Sequence, residues 1–469
     1  MNRPLPLGFR VRLGPRVRVL AGGTVLVGGA PTTVITLRRA AVSEFRDREL
    51  RVRDRRTSAL ANRLIDLGMA DPLPTRCPAQ ATDDVTLVIP VRDRPDQLRR
   101  LLASIDPGHR VLVLDDASAD PGAIRDAART AGAEVVRLDV NVGPAAARNA
   151  GLARIRTAFV AFVDSDVELT DGALTRLRTF FDDPNVALVA PRVRGRVAGA
   201  RATWFAAYDA DRSSLDLGPT PGTVKPGSPV GWLPSACLLG RTAALAGGFD
   251  PGMRVGEDVD LVWRLVGEGH RVQYVPSVEV LHDSRTSAAE VLRRKFFYGT
   301  SAGELASRHG SAVAPAVFTP WTLAVVVVLL CRRRWSLPVA TAVVAGVSVK
   351  IAGKLPVEQD ALRIASGLAA QGALAAVSQT AGLALRHWWP LGLLGAVSSR
   401  RLRGFVLAAA AAEAVSDYVR IRPRLDPVRF GLARRLDDLA YGAGVWAGCL
   451  RSRSFRALRP VVRMPTRKG

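Results

Sequence analysis

Between Val85 and Val193 the sequence switches repeatedly between two hydrophobic periods, and few folds tolerate that. Five short β-rich runs, VTLVIPV, RVLVLDD, AEVVRLD, TAFVAFVD and VALVAPRV, are separated by helical stretches near Asp96–Ile105, Gly122–Ala131, Ala145–Ile155 and Gly172–Phe181. Strands joined through helices return to the same edge and run parallel. The alternation therefore predicts an α/β domain with a mostly parallel, doubly wound sheet. Ligands of such sheets sit beyond the carboxyl ends of the strands. Polar residues collect at those ends: Asp93 after the first run, Asp115 and Asp116 after the second, Asp164 and Asp166 after the fourth.

The fourth run, FVAFVDSDVEL, carries the sharpest chemical signal. An apolar strand stops at two carboxylates separated by one small residue, Ser165. In an extended segment residues i and i+2 point the same way, so Asp164 and Asp166 can share a hard divalent cation that also ligates a diphosphate. Mg2+ or Mn2+ there would neutralise charge on a departing nucleoside diphosphate. A D-x-D on a surface turn is common and means little; one that ends a strand of an α/β domain carries more weight.

Further along, VGEDVDLVWRL opens an amphipathic helix with Glu257, Asp258 and Asp260. Capping and the helix dipole account for one or two acidic residues in a first turn, and three exceed that requirement. A carboxylate whose pKa is raised by acidic neighbours can serve as general base toward an acceptor hydroxyl. NVGPAAARNAGL, from Asn141 to Leu152, starts a helix at Gly143-Pro144 that carries Arg148 and Asn149. Its N-terminus is expected to face phosphate or ribose, although a tight loop and a helix with one outward arginine explain the same residues. His282 ends a strand-like segment, and Arg293, Arg294 and Lys295 lie on the next helix. These are candidates for a further metal ligand and a phosphate clamp.

The flanks differ in character. In residues 1–72, RVRVLAGGTVLVGG reads as two strands joined by Ala21-Gly22-Gly23, with a helical pattern over Ser58–Leu67, which makes a small α+β module. A proline-rich linker covers 73–83, the α/β domain 84–312, and an apolar helical region with a basic tail 313–469. PWTLAVVVVLL, LPVATAVVAGVSVKIAG and IASGLAAQGALAAVSQTAGLAL are each close to or below the ~20 residues that a bilayer span needs. Arginine clusters and Trp321, Trp335, Trp388 and Trp389 suit membrane interfaces. Two to four spans or re-entrant helices are expected, with an alanine-rich helical bundle as the plainer reading.

The net charge of +24 is spread along the chain and comes with no helix-turn-helix, zinc or RNA-reading signature. It fits nucleotide phosphates and an anionic membrane surface, and no nucleic acid partner is expected. Cys77, Cys237, Cys331 and Cys449 are far apart and suggest neither a disulfide framework nor a zinc site, which points to a reducing compartment. The N-terminus is basic without an apolar core, so no secretory signal is expected.

In order and spacing, IPVRDRP (Ile89–Pro95), VLDDASAD, NVGPAAARNAGL, VDSDVEL, LPSACLLGRTAALAGGFD (Leu233–Asp250) and GEDVDLVWRL resemble the family 2 glycosyltransferases of the GT-A fold, over about Asp84 to Gly303. The resemblance implies a metal-dependent hexosyltransferase. It places Pro90, Asp93 and Asp116 at nucleobase and ribose, Asp166 with Asp164 at Mg2+ or Mn2+, His282 at a late metal contact, and Asp258 as base. Val91, Asp115, Asn141 and Arg148 complete the candidate nucleotide contacts, and Trp232, Ser235, Glu257 and Asp260 the acceptor surroundings. The implied reaction inverts the anomeric centre. The Q-x-x-R-W motif of processive members is absent, RRKFFYG standing in that region, so long polymers are not expected.

The whole chain, module included, also resembles the mycofactocin-system glycosyltransferases of actinobacteria. That implies UDP-glucose as donor, β-1,4-linked glucose as product, and a peptide-derived redox cofactor, premycofactocin, as acceptor. The first module then resembles small peptide-recognition domains. The alternative is a membrane glycosyltransferase acting on a lipid-linked or cell-wall glycan. Either reading puts the protein at the cell membrane, its catalytic domain on the cytoplasmic side.

Overall fold

The computed structural model describes residues 2–74, 83–196, 203–284, 287–356 and 360–464. Most of the expected linker, and Cys77 with it, lies outside the described residues. Two compact units emerge, Met1–Ala200 with Arg212–Ser284, and Arg201–Asp211 with Arg285–Gly469. The helices between residues 285 and 312 therefore pack with the C-terminal region.

The first unit begins with a module that has its own core. One antiparallel sheet runs in the order Phe45–Arg46, Glu49–Arg51, Arg10–Leu13, Ala70–Leu73, and a second joins Arg18–Leu20, Val25–Gly28 and Thr33–Thr36. Helix Arg55–Asp66 is capped at Asp54, whose carboxylate accepts from the Thr57 N–H at 2.8 Å while the Thr57 hydroxyl accepts from the Asp54 N–H. Its apolar face buries Ala61, Leu64 and Ile65 against Val11, Leu13 and Leu50. Arg271, 3% exposed, ties the module to the α/β part: it donates to Asp66 Oδ1 at 2.7 Å and to Asp183 Oδ2 at 2.6 Å.

The large sheet of this unit runs Glu134–Leu138, Arg110–Asp116, Val85–Val91, Phe159–Val163, Cys237–Arg241, Val186–Arg196, Arg271–Asp283, Val167–Leu169, with Gly222–Thr223 also on Arg271–Asp283. The first four strands are parallel, as helix crossovers require. Beyond them the sheet is mixed. Cys237–Arg241 lies antiparallel to both its neighbours, and Val186–Arg196 parallel to Arg271–Asp283. Phe159–Val163 is buried along its whole length, which explains its unbroken apolar run. Phe159, Ala161 and Val163 enter one core, Val160 and Phe162 the other. Only a tight turn separates this strand from Val167–Leu169. Val167–Leu169 pairs antiparallel to Arg271–Asp283, with Val167 opposite His282.

The second unit is mostly helical. Helices Ala288–Gly299 and Pro427–Arg451 touch through backbone: a Cβ on Gly444 would lie 2.0 Å from the Phe296 carbonyl oxygen. Among the described residues one helix, Ala361–His387, is long and apolar enough to cross a membrane by length and composition. Pro320–Leu330 and Ser336–Ala352 are shorter, at 11 and 17 residues, or about 16 and 26 Å against a hydrocarbon core of about 30 Å. Arg332 and Asp360, both at positive φ, lie just after the first of these and just before Ala361–Gly382. Cys237, Cys331 and Cys449 are free thiols.

Candidate active site

Helix Glu257–Gly267 starts after Gly256, which takes the left-handed φ of +83°. Its first turn carries the three acids, and they have different tasks. Asp260 is 1% exposed and accepts from Arg264 Nε at 2.8 Å, which leaves it holding the helix surface rather than a ligand. Glu257 is buried and accepts from Arg148 Nη1 at 3.2 Å. Asp258 accepts two backbone N–H bonds, from Ser235 at 3.2 Å and from Val259 at 2.8 Å. Burial, then the neighbouring Glu257 charge, push its carboxyl up to about 7, against the two N–H donors and Arg148. The Trp263 indole donates to the Gly231 carbonyl at 2.7 Å and fixes the loop that carries Trp232 and Ser235.

Strand Phe159–Val163 delivers the acid pair in a tight turn, the Val167 N–H reaching back to the Asp164 carbonyl. The segment is therefore not extended, and the two carboxylates diverge. Asp164 accepts from Arg148 Nη2 at 2.5 Å. Asp166 accepts from Arg94 Nη1 at 2.5 Å and has His282 Nε2 3.4 Å from its other oxygen. Burial opposes ionisation of Asp166, but the hydrogen bond and charge of His282, followed by Arg94, hold it well below the usual carboxylate range. The pairing of Val167 with His282 is what brings the histidine here.

Arg148 links the two halves. At 2% exposure it bridges Asp164 and Glu257, and its guanidinium lies 5.3 Å from the centre of the Phe249 ring. Next to it, Asn149 exchanges hydrogen bonds with the Phe249 backbone. Gly248, at φ +56°, has no room for a Cβ, which would fall 2.5 Å from Asn149 Oδ1.

The expected nucleotide loops are knotted together by carboxylates. Asp116 accepts from the N–H groups of Val142 and Gly143 at 2.7 and 2.9 Å, so these first donors of helix Gly143–Leu152 are already taken by protein. Asn141 also accepts from Gly143. Asp115 is 1% exposed and held by Arg137 at 2.6 Å and the Ser118 N–H at 2.9 Å. Asp93, at φ +55°, accepts from the Ala119 N–H at 2.7 Å and remains about half exposed. Pro90 and Val91 end the central strand, Val91 inside the core.

Of the phosphate candidates, Lys295 is buried in the second unit 3.2 Å from Asp437, and Arg294 lies over the Tyr298 ring. Arg293 is on the same helix, Ala288–Gly299. Sequence reasoning passed over Arg94, Arg137 and Ser118. Arg94 stands inside the quoted IPVRDRP motif, the one hint available.

No ready-made cluster of three or more metal-type side chains forms among the described residues. Asp166 and His282 nevertheless present an oxygen and a nitrogen 3.4 Å apart, near the ~3 Å between adjacent ligand atoms around a six-coordinate cation with ~2.1 Å bonds. The donor set of carboxylate and imidazole also suits Mn2+ or Mg2+.

The family model of Glycosyl transferase family 2 matches residues 86–220, and that of Glycosyl transferase family group 2 matches residues 159–354. The chain belongs to glycosyltransferase family 2; its α/β domain is of the expected GT-A type, with a sheet that is mixed rather than mostly parallel, and it is flanked by the expected N-terminal module and helical C-terminal region. It is similar to the Pre-mycofactocin glycosyltransferase of Mycobacterium tuberculosis (strain ATCC 25618 / H37Rv), 41% identical over 469 residues, 98% of this chain and 99% of that one. A shorter stretch of 57 residues is 53% identical to the N-acetylglucosaminyl-diphospho-decaprenol L-rhamnosyltransferase of the same strain, covering 12% of this chain and 19% of the relative. Among solved structures, the mannosyltransferase PcManGT from Pyrobaculum calidifontis in complex with GDP-Man and Mn2+ is similar at 18% identity and a TM-score of 0.40, over 69% of this chain and 93% of that one.

Proposed function

We propose that this glycosyltransferase transfers a hexose, glucose in the first instance, from a UDP-sugar to premycofactocin with inversion, building a short β-1,4-linked chain. The acceptor follows from end-to-end similarity to relatives named for it. The chemistry rests on one observation above all, the Asp258 carboxyl poised near neutrality on two backbone donors. In this reading Asp258 takes the proton of the acceptor hydroxyl, whose oxygen attacks the anomeric carbon opposite the leaving diphosphate. A single displacement turns an α donor into a β product. Trp232 and Ser235, on the loop pinned to the same helix, border the acceptor. Asp93, Pro90 and Asn141 border the nucleotide, with Asp115 and Asp116 shaping those loops from beneath.

Asp166 and His282 would hold Mg2+ or Mn2+, with Asp164 turning to it from Arg148; when bound, the cation neutralises charge building on the diphosphate. Arg148 keeps Asp164 and Glu257 in register. The second unit associates with the membrane in this reading, supported by Leu337, Leu374, Leu394, Val397 and Leu407, all more than half exposed, and by the long apolar helix Ala361–His387. The catalytic unit then lies on the cytoplasmic side.

Mass spectrometry of premycofactocin after incubation with the full chain, UDP-glucose and Mn2+ tests the reading. Hexose mass increments that vanish in Asp258→Asn are expected. Exclusive labelling of a polyprenyl-linked acceptor offered in parallel would favour the lipid or cell-wall alternative, to which the exposed apolar helices also speak.

A further inference from the structure

A cavity of about 410 Å3 lies where the N-terminal module meets the large sheet. None of its lining residues belongs to the carboxylate cluster described above. Its walls are largely apolar, among them Pro72, Pro219, Pro221 and Pro276 with the rings of Phe180 and Tyr274. Strand Ala70–Leu73 forms one wall. It is the last strand of its sheet, and it buries Ala70 and Pro72 on one face while Asp71 and Leu73 keep part of their surface on the other. Asp71 Oδ2 lies near the Gly14 backbone, 3.8 Å from where a Cβ on that glycine would stand.

Asp71 is chemically out of place there. Among the described residues no hydrogen-bond donor or cation reaches its carboxylate, and burial alone pushes its pKa up to about 6. The other ionised group on the wall, Arg12, is committed elsewhere, donating to Glu49 from Nε at 3.1 Å and from Nη2 at 2.5 Å. A carboxylate partly withdrawn from water without a partner is held at a cost, and a ligand that brings the missing charge recovers it. Prolines and aromatic rings around it favour a flat apolar body over a hydrated sugar or phosphate.

We propose that this cavity is a second binding site, specific for a primary ammonium group on an apolar body, with Asp71 as its counter-charge. The proposal does not depend on the glycosyl-transfer reading. The ammonium could belong to a free amine or to the first residue of a peptide.

Titration calorimetry and saturation-transfer NMR on the full chain separate these sources. The probes are 2-phenylethylammonium against neutral 2-phenylethanol, and a Phe-Pro-Gly tripeptide against its N-acetylated form. At least tenfold tighter binding of one charged probe than of its neutral partner is expected, and the pair that shows it identifies the source. Asp71→Asn should erase that preference while thermal melting stays that of the parent. Pro221→Trp, which fills the cavity and leaves Asp71 in place, should abolish binding of the same probe. Equal binding of charged and neutral partners, or a preference that survives in Asp71→Asn or Pro221→Trp, overturns the proposal.

Discussion

If Asp258 is the base, the pH dependence of the reaction is set by what surrounds it. Its carboxyl is raised to about 7 by burial first and by Glu257 second. The active form is the carboxylate, so kcat/KM for the acceptor should rise with pH through neutrality. With one ionisation near 7, about a tenth of the enzyme is active at pH 6 and about nine tenths at pH 8, close to a tenfold increase. Glu257→Gln removes the second cause of elevation and releases Arg148 from one of its two carboxylates. Both changes favour the ionised form of Asp258, so the rising limb should move to lower pH. Asp258→Asn should flatten the profile and cut turnover by about 10² to 10⁴. Initial rates of UDP release at saturating donor and Mn2+, from pH 5.5 to 8.5, measure all three. A parent profile that is flat across this range, or a Glu257→Gln limb displaced upward, would refute the assignment.

Removing Arg148 strands the buried Glu257 and the partly exposed Asp164, so Arg148→Met should cost about 3 kcal/mol in unfolding free energy by denaturant titration; Arg148→Lys should not restore it, because one ammonium cannot bridge both partners. Asp166→Asn and His282→Ala should each raise the Mn2+ concentration for half-maximal activity by at least tenfold, seen in a metal titration of initial rate, if these side chains hold the cation. Arg271→Ala should loosen the N-terminal module from the sheet, because the 3%-exposed guanidinium bridges Asp66 and Asp183; faster limited proteolysis within residues 1–74 reports it. Gly248→Ala places a Cβ against Asn149 at a positive φ and should lower stability by about 1 to 3 kcal/mol in the same denaturant assay.

The readable parts of this chain are those where one local pattern serves both folding and chemistry. Phe159–Val163 is unbroken apolar sequence because both its faces are buried, and its abrupt end at Asp164 marks the site for the same reason. The acids of helix Glu257–Gly267 stood out because a first turn needs fewer. What escaped was decided by partners distant in sequence. Arginine is so frequent that nothing local marks Arg94 for Asp166, 72 residues away, or Arg148 for Glu257, 109 away. The turn at Ser165 escaped as well, since the same three residues suit an extended segment equally well. In the C-terminal half, the reversals at Arg332 and Asp360 occur at non-glycine residues with positive φ, where composition gives no warning. The apolar runs themselves match their helices, PWTLAVVVVLL being helix Pro320–Leu330 residue for residue.

The same distinction explains why the acid cluster is ordered before any ligand arrives. Every carboxylate in it already has a protein donor, Arg94, Arg148, Arg264 or a backbone N–H. Five acids gathered without such donors would repel one another and raise each other's pKa values. Asp166, with cationic partners, stays ionised, while Asp258, with backbone donors and Glu257 beside it, is held near neutrality. Neighbouring carboxylates thus acquire opposite tendencies, one toward binding a cation and one toward accepting a proton. That division is what the proposed reaction asks for, with a cation at the leaving diphosphate and a base at the acceptor hydroxyl.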